Sequence, residues 1–182
     1  MNHNEQPETR LKQGFLQVYT GDGKGKTTSA LGLAIRCVGS GANVYIGQFI
    51  KQYDYSETQI IRRRFPEITL EQYGRGCFIS NTPTKEDIQL ARNGHDKLRE
   101  ALVSEKYRLV IADEINVAAN LGLLQTKDLL ELGRNRPATV ELVMTGRDAP
   151  AELIDMADLV SEIRDIKHYY RNGITARKGI EC

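Results

Sequence analysis

Net charge is nearly absent from this sequence: 25 Lys+Arg stand against 24 Asp+Glu, a formal +1 at pH 7. A global attraction to nucleic acid or to an acidic membrane surface therefore has no support, and any partner must be recognised at a site. Cysteine is also scarce. Cys37, Cys77 and Cys182 lie far apart with no CxxC pair, which argues against a disulfide framework or a zinc ribbon and suits free thiols in a reducing cytosol. No apolar run approaches the roughly 18 residues of a membrane span. Residues 1–12 are polar rather than basic and then apolar, so the expectation is a soluble, cytoplasmic protein. Internal repeats and low-complexity segments are lacking too.

What the chain does contain is a regular alternation. Its 182 residues suit one domain with a full core, since single domains commonly hold about 100–200 residues. Residues 1–13 lack periodicity and carry Asn, Gln, Glu and Pro, the composition of a flexible arm; residues 14–182 are expected to form a single domain. Strand patterns fall at 15–19, 43–50, 68–73, 107–112, 139–144 and 158–164. Between them lie helical patterns at 26–38, 85–104, 115–121, 126–134 and 150–156, with a helix or loop around Arg62-Arg63-Arg64. Thr84 with Asp87 forms an approximate capping box, and His95 lies on the apolar stripe of the helix that follows, where it reads as structural. This order predicts an α/β fold with a parallel sheet flanked by helices.

The stretch 19–28, Tyr-Thr-Gly-Asp-Gly-Lys-Gly-Lys-Thr-Thr, joins the first strand pattern to the first helical pattern. Gly25, Lys26 and Thr27 supply the last three positions of the phosphate-loop signature G-x-x-x-x-G-K-[ST]. In that motif backbone N–H groups surround phosphate oxygens, the Lys adds charge and the hydroxyl binds Mg²⁺. Its first glycine would fall at residue 20, where Thr20 stands, with Gly21 one place later. The loop is therefore a variant. Glycine-rich turns also arise for conformational reasons alone. This one, however, follows a strand pattern and opens a helix, whose N-terminus adds partial positive charge for an anion. Lys26 reads as a solvent-facing loop cation.

Asp113-Glu114 close the apolar run 107–112, as an acidic strand end does in phosphate-loop proteins, where a carboxylate holds Mg²⁺ directly or through water. Such a pair commonly just caps the next helix; beside Thr27 the metal role is the better reading. Glu114 is the one obvious group to orient or deprotonate a nucleophile, so the nucleophile need not be water. Arg62-Arg63-Arg64 fits a polyanion site or, more commonly, a solvated face. Cys77 beside Phe78 reads equally as a reactive thiol next to a stacking aromatic or as an apolar loop anchor. The residues alone leave open a phosphate-loop ATPase, a small-molecule kinase, and a RecA-like module that senses nucleotide or binds single-stranded DNA.

An ordered set of motifs narrows this. Gly21-Asp22-Gly23-Lys24-Gly25-Lys26-Thr27-Thr28, Gln48-Phe49-Ile50-Lys51, Asp113-Glu114, Thr145-Gly146-Arg147, Lys167-His168 and Lys178-Gly179-Ile180-Glu181 together resemble the ATP:corrinoid adenosyltransferases of the CobO/BtuR type. The resemblance runs from about Gly14 to Glu181 and includes the shifted glycine. It implies a three-layer RecA-like phosphate-loop fold, a homodimer, and transfer of the 5′-deoxyadenosyl group of ATP to the Co(I) centre of cobalamin or a precursor, with triphosphate leaving. An electron-donating flavoprotein reductase is the implied partner, and Mg²⁺, or Mn²⁺ in its place, the implied metal. Gly21 to Thr28 would bind the triphosphate of an ATP lying reversed, with Lys26 and Thr27 acting in catalysis and Arg36 reaching phosphate from the first helix. Thr27 and Glu114 would hold the metal with Asp113 in support. The loop Gly76-Cys77-Phe78-Ile79 corresponds to the region that presents aromatics to the corrinoid, but Cys77 and Ile79 stand where aromatics are found in better-known members. Either Phe78 takes over that task or the corrinoid is held differently.

Overall fold

The central runs become strands because each is long enough to span a sheet and apolar on both faces, while those at the two edges, Ile68–Tyr73 and Leu159–Glu162, are more polar or exposed. The computed structural model describes residues 13–75 and 82–181. The strands are β1 (Leu16–Thr20), β2 (Val44–Phe49), β3 (Ile68–Tyr73), β4 (Leu109–Asp113), β5 (Glu141–Thr145) and β6 (Leu159–Glu162). The helices are α1 (Lys26–Gly39), α2 (Ser56–Arg64), α3 (Lys85–Val103), α4 (Ile115–Asn120), α5 (Thr126–Arg134) and α6 (Ala151–Met156), with a 3-10 turn at Tyr169–Asn172. The sheet order is β3-β2-β4-β5-β1-β6, and every pairing is parallel.

Alternation along each strand splits the core into two layers. Val44, Ile46, Leu109, Ile111 and Val143 point to the side covered by Ala30 and Ala34 of α1 and Ile61 of α2. Tyr45, Phe49, Val110, Ala112, Leu142 and Met144 point to the other side, against α3, α4, α5 and α6. Both faces are thus dry, which is why the central strands read as continuous hydrophobic runs rather than as alternating ones. The result is the expected three-layer RecA-like α/β fold.

Local signals account for the boundaries. Thr84 accepts from the Asp87 N–H and Asp87 returns a bond to the Thr84 N–H at 2.9 Å, so the capping box that starts α3 is complete. His95 is buried, with Nε2 3.2 Å from the Asp128 carbonyl, the structural position its stripe implied. Arg62, Arg63 and Arg64 form the last turn of α2, where cations offset the helix dipole, and Arg62 pairs with Asp54 at 3.1 Å. β5 begins later than its pattern, because Val140 N donates to Pro137 O in a turn. β6 is shorter than its pattern and exposed along its length.

The sheet order decides where ligands meet the chain. The strand that leads into the glycine loop, β1, is separated from the acidic strand β4 by the later strand β5. Strands on either side of this reversal open a crevice at their C-terminal ends, the usual ligand position in parallel α/β sheets.

Candidate active site

β1 extends one residue into the signature, through Thr20, and this accounts for the shifted glycine. Thr20 still has strand geometry: its carbonyl accepts from Ile163 N at 2.9 Å, and it stands opposite Glu162 of β6. The chain first turns at Gly21, with φ 91°, a conformation that a residue with a side chain adopts only under strain. Gly23 is pressed against the segment after β6, its N–H donating to Ile163 O at 2.7 Å. A Cβ there would lie 2.7 Å from the Arg164 backbone. The loop ends at Gly25, and no side chain caps the N-terminus of α1. The first N–H groups of α1 therefore point into the cleft beside the loop, an anion site by construction.

Lys26 corrects the sequence expectation. It is not solvent-facing but buried, folded back to donate to the Gly21 carbonyl and, at 2.7 Å, to the Gly23 carbonyl. Its position at the first residue of α1, directly behind the loop, lets the four-carbon stem curl over its own turn. Burial pulls its pKa below the ordinary lysine value, partly offset by Glu114.

Strand alternation assembles the second half of the site. Leu109, Ile111 and Asp113 share one face of β4, and Gln48 lies opposite Asp113 on β2. Asp113 therefore emerges on the α1 side, only 1% exposed, among donors from α1, from β5 and from the end of β2 with the turn after it. Its Oδ1 accepts from Thr27 Oγ1 at 2.8 Å and from Thr145 Oγ1 at 2.7 Å. Its Oδ2 accepts from Lys51 Nζ at 2.8 Å and from Gln48 Nε2 at 3.1 Å. Burial alone would raise the Asp113 pKa, but the Lys51 ammonium and the hydroxyl donors outweigh it and hold the carboxyl below its ordinary range.

Glu114 has the opposite environment. Its backbone is left-handed, φ 61°, held there by an N–H donated to Thr145 Oγ1 at 3.0 Å, and its side chain lines the cleft. Burial first, and then the charge of Asp113, push its pKa above the ordinary carboxylate value. Adjacent carboxyl groups with pKa values driven apart are a mark of functional sites.

The cleft itself measures about 850 Å³. Its floor is the glycine loop, and Lys51, Glu114 and Arg147 stand on one side. The C-terminal segment forms the far wall. Lys24 donates to Glu181 Oε1 at 3.0 Å, to the Ile180 carbonyl at 2.9 Å and to Tyr169 OH at 3.2 Å, while Arg177 and Tyr169 also bond Glu181. An apolar wall of Leu31, Ile35, Ile60 and Phe65 completes the cleft.

Of the residues singled out in the sequence, Asp22 and Thr28 line the cleft together with Gly23, Lys24, Gly25, Lys26, Thr27 and Glu114, and Asp113 stands directly behind them. Arg36 sits farther along α1, exposed, and is not part of the lining. Cys77, Phe78 and Ile79 lie outside the described residues. Sequence reasoning overlooked Gln48 and Thr145 as partners of Asp113, although Gln48 is the penultimate residue of β2 and Thr145 the last of β5, both on the face that carries Asp113. Lys51 was visible only as part of a motif.

Magnesium would suit these donors. Thr27, Asp113 and Glu114 offer hard oxygens, and the positive charge of Lys51 already stands 2.8 Å from Asp113 and 3.2 Å from Thr27 Oγ1. Among the described residues no group of three or more His, Cys, Asp or Glu could hold a metal ion by itself. A Mg²⁺ ion held by one or two protein oxygens would take its remaining ligands from phosphate or water.

Comparison with known proteins places this geometry. The profile of the family described as ATP:corrinoid adenosyltransferase BtuR/CobO/CobP matches residues 12–182. A corrinoid adenosyltransferase of Pseudomonas aeruginosa is 35% identical over 175 residues, covering 96% of this chain and 86% of its own length. One from Sinorhizobium is 32% identical, covering 93% of this chain and 81% of its own. The corrinoid adenosyltransferase CobA of Salmonella typhimurium is 31% identical, covering 96% and 88%. In fold, the chain is similar to the flagellar accessory protein FlaH of Methanocaldococcus jannaschii, with a TM-score of 0.57 at 12% identity, over 82% of this chain and 71% of that one.

Proposed function

The chain belongs to the ATP:corrinoid adenosyltransferase family, and from that premise we propose how its cleft carries out adenosyl transfer. The enzyme transfers the 5′-deoxyadenosyl group of ATP to the cobalt of a corrinoid, in cobalamin synthesis. One observation carries the site assignment. The six motif blocks that lie far apart in the sequence, from the glycine loop to Glu181, come together around one cleft.

In this reading the Co(I) centre of the corrinoid substrate supplies an electron pair to C5′, the cobalt–carbon bond forms, and the C5′–O bond breaks to release triphosphate. The nucleophile carries no proton, so the protein supplies position and charge rather than a base. The amides of residues 21–28 and the α1 N-terminus bind the triphosphate. Lys26 leaves its own loop carbonyls and moves onto phosphate oxygen, a motion favoured because those carbonyls are weaker partners than an anion. Magnesium bound at Thr27 and Glu114, with Asp113 in support, would neutralise charge on the leaving triphosphate. Asp113 orients Thr27 through the 2.8 Å bond and anchors the ends of β4 and β5. The apolar wall of α1 and α2 suits the flat faces of adenine or of the corrin ring. ATP reversed in the loop sets C5′ toward the incoming cobalt.

Phe78 is assigned to the corrinoid side, where it displaces a lower axial ligand so that Co(II) can be reduced. A homodimer, a flavoprotein electron donor and a cytoplasmic location complete the proposal. Product analysis tests the chemistry. Incubation with ATP and chemically generated Co(I) corrinoid should yield triphosphate and a light-sensitive cobalt–carbon bond; ADP and phosphate would defeat the reading. Phe78→Ala should slow turnover more when Co(II) must first be reduced than when Co(I) is supplied, and equal slowing would remove Phe78 from the reduction step.

A further inference from the structure

Lys51 is placed with unusual constraint for a long, flexible side chain. It stands one residue beyond the end of β2, and the residue between, Ile50, is left-handed at φ 67°. A β-branched residue in that region is strained, at a cost on the order of 1–3 kcal/mol, and persists only where its surroundings determine it. Ile50 N is held by the Tyr73 carbonyl at 3.1 Å, continuing the β2–β3 ladder past the last strand residue. The turn delivers the Lys51 ammonium between the two groups that α1 and β4 contribute: 3.2 Å from Thr27 Oγ1 and 2.8 Å from Asp113 Oδ2. Tyr55 adds an aromatic face 5.9 Å from the same nitrogen.

A cation at that point meets the oxygens that a metal ion would meet. Thr27 Oγ1 is both the hydroxyl that the phosphate-loop motif assigns to the metal and a partner of Lys51. Lys26, the motif's own lysine, is turned away onto Gly21 and Gly23 and is not the group that neutralises Asp113. The two lysines therefore divide the work: one is stored on the loop carbonyls, the other on the metal-side oxygens.

We propose that Lys51 is a tethered cation that occupies the metal position of the nucleotide-free site and is displaced when magnesium arrives with the triphosphate. The inference rests on the metal reading given above. It gives the site an order of binding. Free metal must compete with a covalently tethered ammonium for Thr27 and Asp113, and the competition lowers its apparent affinity by the fraction of molecules in which Lys51 has left. Metal that comes with a nucleotide brings phosphate oxygens as further ligands and also offers Lys51, which lines the same cleft, a new anion to pair with. The site thus discriminates against metal binding without substrate, and it keeps Asp113 paired in both states, which a buried carboxylate requires.

Mn²⁺ binding followed by electron paramagnetic resonance, with no nucleotide present, tests this. Lys51→Met and Lys51→Gln should each bind Mn²⁺ at least about tenfold more tightly than the unaltered protein, the factor expected when a competitor that fills most sites is removed. In both variants Mn²⁺ should raise the thermal unfolding midpoint, which it should not do for the unaltered protein. Equal or weaker Mn²⁺ binding in folded variants would overturn the proposal and leave Lys51 a permanent structural partner of Asp113. A variant-free measurement covers a failure to fold: the Lys51 ammonium resonance in ¹⁵N-labelled protein should shift on adding Mg²⁺ with tripolyphosphate and stay in place with Mg²⁺ alone. No shift with bound Mg²⁺ and tripolyphosphate would overturn it equally. Failure of Mn²⁺ to bind the unaltered protein even with tripolyphosphate would defeat the metal reading itself, and this proposal with it.

Discussion

Thr145 Oγ1 donates to Asp113 Oδ1 at 2.7 Å and accepts from the Glu114 N–H at 3.0 Å, so one hydroxyl at the end of β5 sets both acidic residues at the end of β4. β5 is the strand inserted between the glycine-loop strand and the acidic strand, and this contact ties the inserted strand to the chemistry. Thr145→Val keeps the shape and deletes the hydroxyl. It leaves the left-handed Glu114 without its N–H partner and buried Asp113 with one donor fewer. We expect a loss of about 1–3 kcal/mol, the usual cost of buried polar groups left unpaired, read from urea unfolding at pH 7. An unchanged midpoint would show that Thr145 has no part in holding the acidic pair.

Lys26→Ala should leave the fold cooperative and abolish most turnover. Among the described residues the side chain bonds only carbonyls of its own loop, so the sheet does not depend on it. Losing one preorganised charge at a leaving group typically costs about 10²–10³-fold in rate. Steady-state assay with Co(I) corrinoid, paired with circular dichroism, checks both halves; full activity would remove Lys26 from the phosphate site.

Glu114 makes stability depend on pH in a direction opposite to Asp113. Its folded pKa lies above the ordinary 4.5, because burial and the neighbouring Asp113 disfavour its charge. The charged side chain therefore destabilises the nucleotide-free fold at pH values above the folded pKa, and that penalty disappears as pH falls to 4.5 and below. Glu114→Gln should accordingly raise the melting temperature at pH 7–8, with an advantage that shrinks toward pH 4.5, while metal-dependent turnover falls. A variant less stable than the parent at pH 8 would contradict the assigned environment.

Glu181 closes the far wall of the cleft by gathering Lys24, Arg177 and Tyr169. Its carboxyl is held below the ordinary range, by Arg177 first and then by Tyr169 and Lys24. Glu181→Gln should release the segment without unfolding the sheet. Trypsin should then cut at Arg177 or Lys178 several-fold faster than in the parent, as followed by mass spectrometry, with the main unfolding midpoint unmoved. Unaltered cleavage would mean that the wall stands without this cluster.

Several features were legible in the sequence because they are local. All six strands and five of the six regular helices overlap the segments where periodicity put them, α2 falling where helix and loop were both open, and the Thr84–Asp87 box needed only residues three apart. The shift from Thr20 to Gly21 was visible as well, but its reason was not. It depends on β6 lying beside β1 and keeping Thr20 extended, a pairing between residues about 140 positions apart along the chain.

Sequence by itself determined that this chain is a parallel α/β protein with a variant phosphate loop and an acidic strand end, since the hydrophobic period and the glycine spacing follow from backbone geometry that neighbouring residues settle among themselves. Tertiary structure decided what those parts face. Lys26 turned inward because its loop carbonyls lie within reach of its own stem. Lys51, Gln48 and Thr145 reached Asp113 because sheet order and strand parity bring the ends of β2 and β5, together with the start of α1, to one carboxylate. Such convergence depends on which strands become neighbours, and no short-range pattern encodes that.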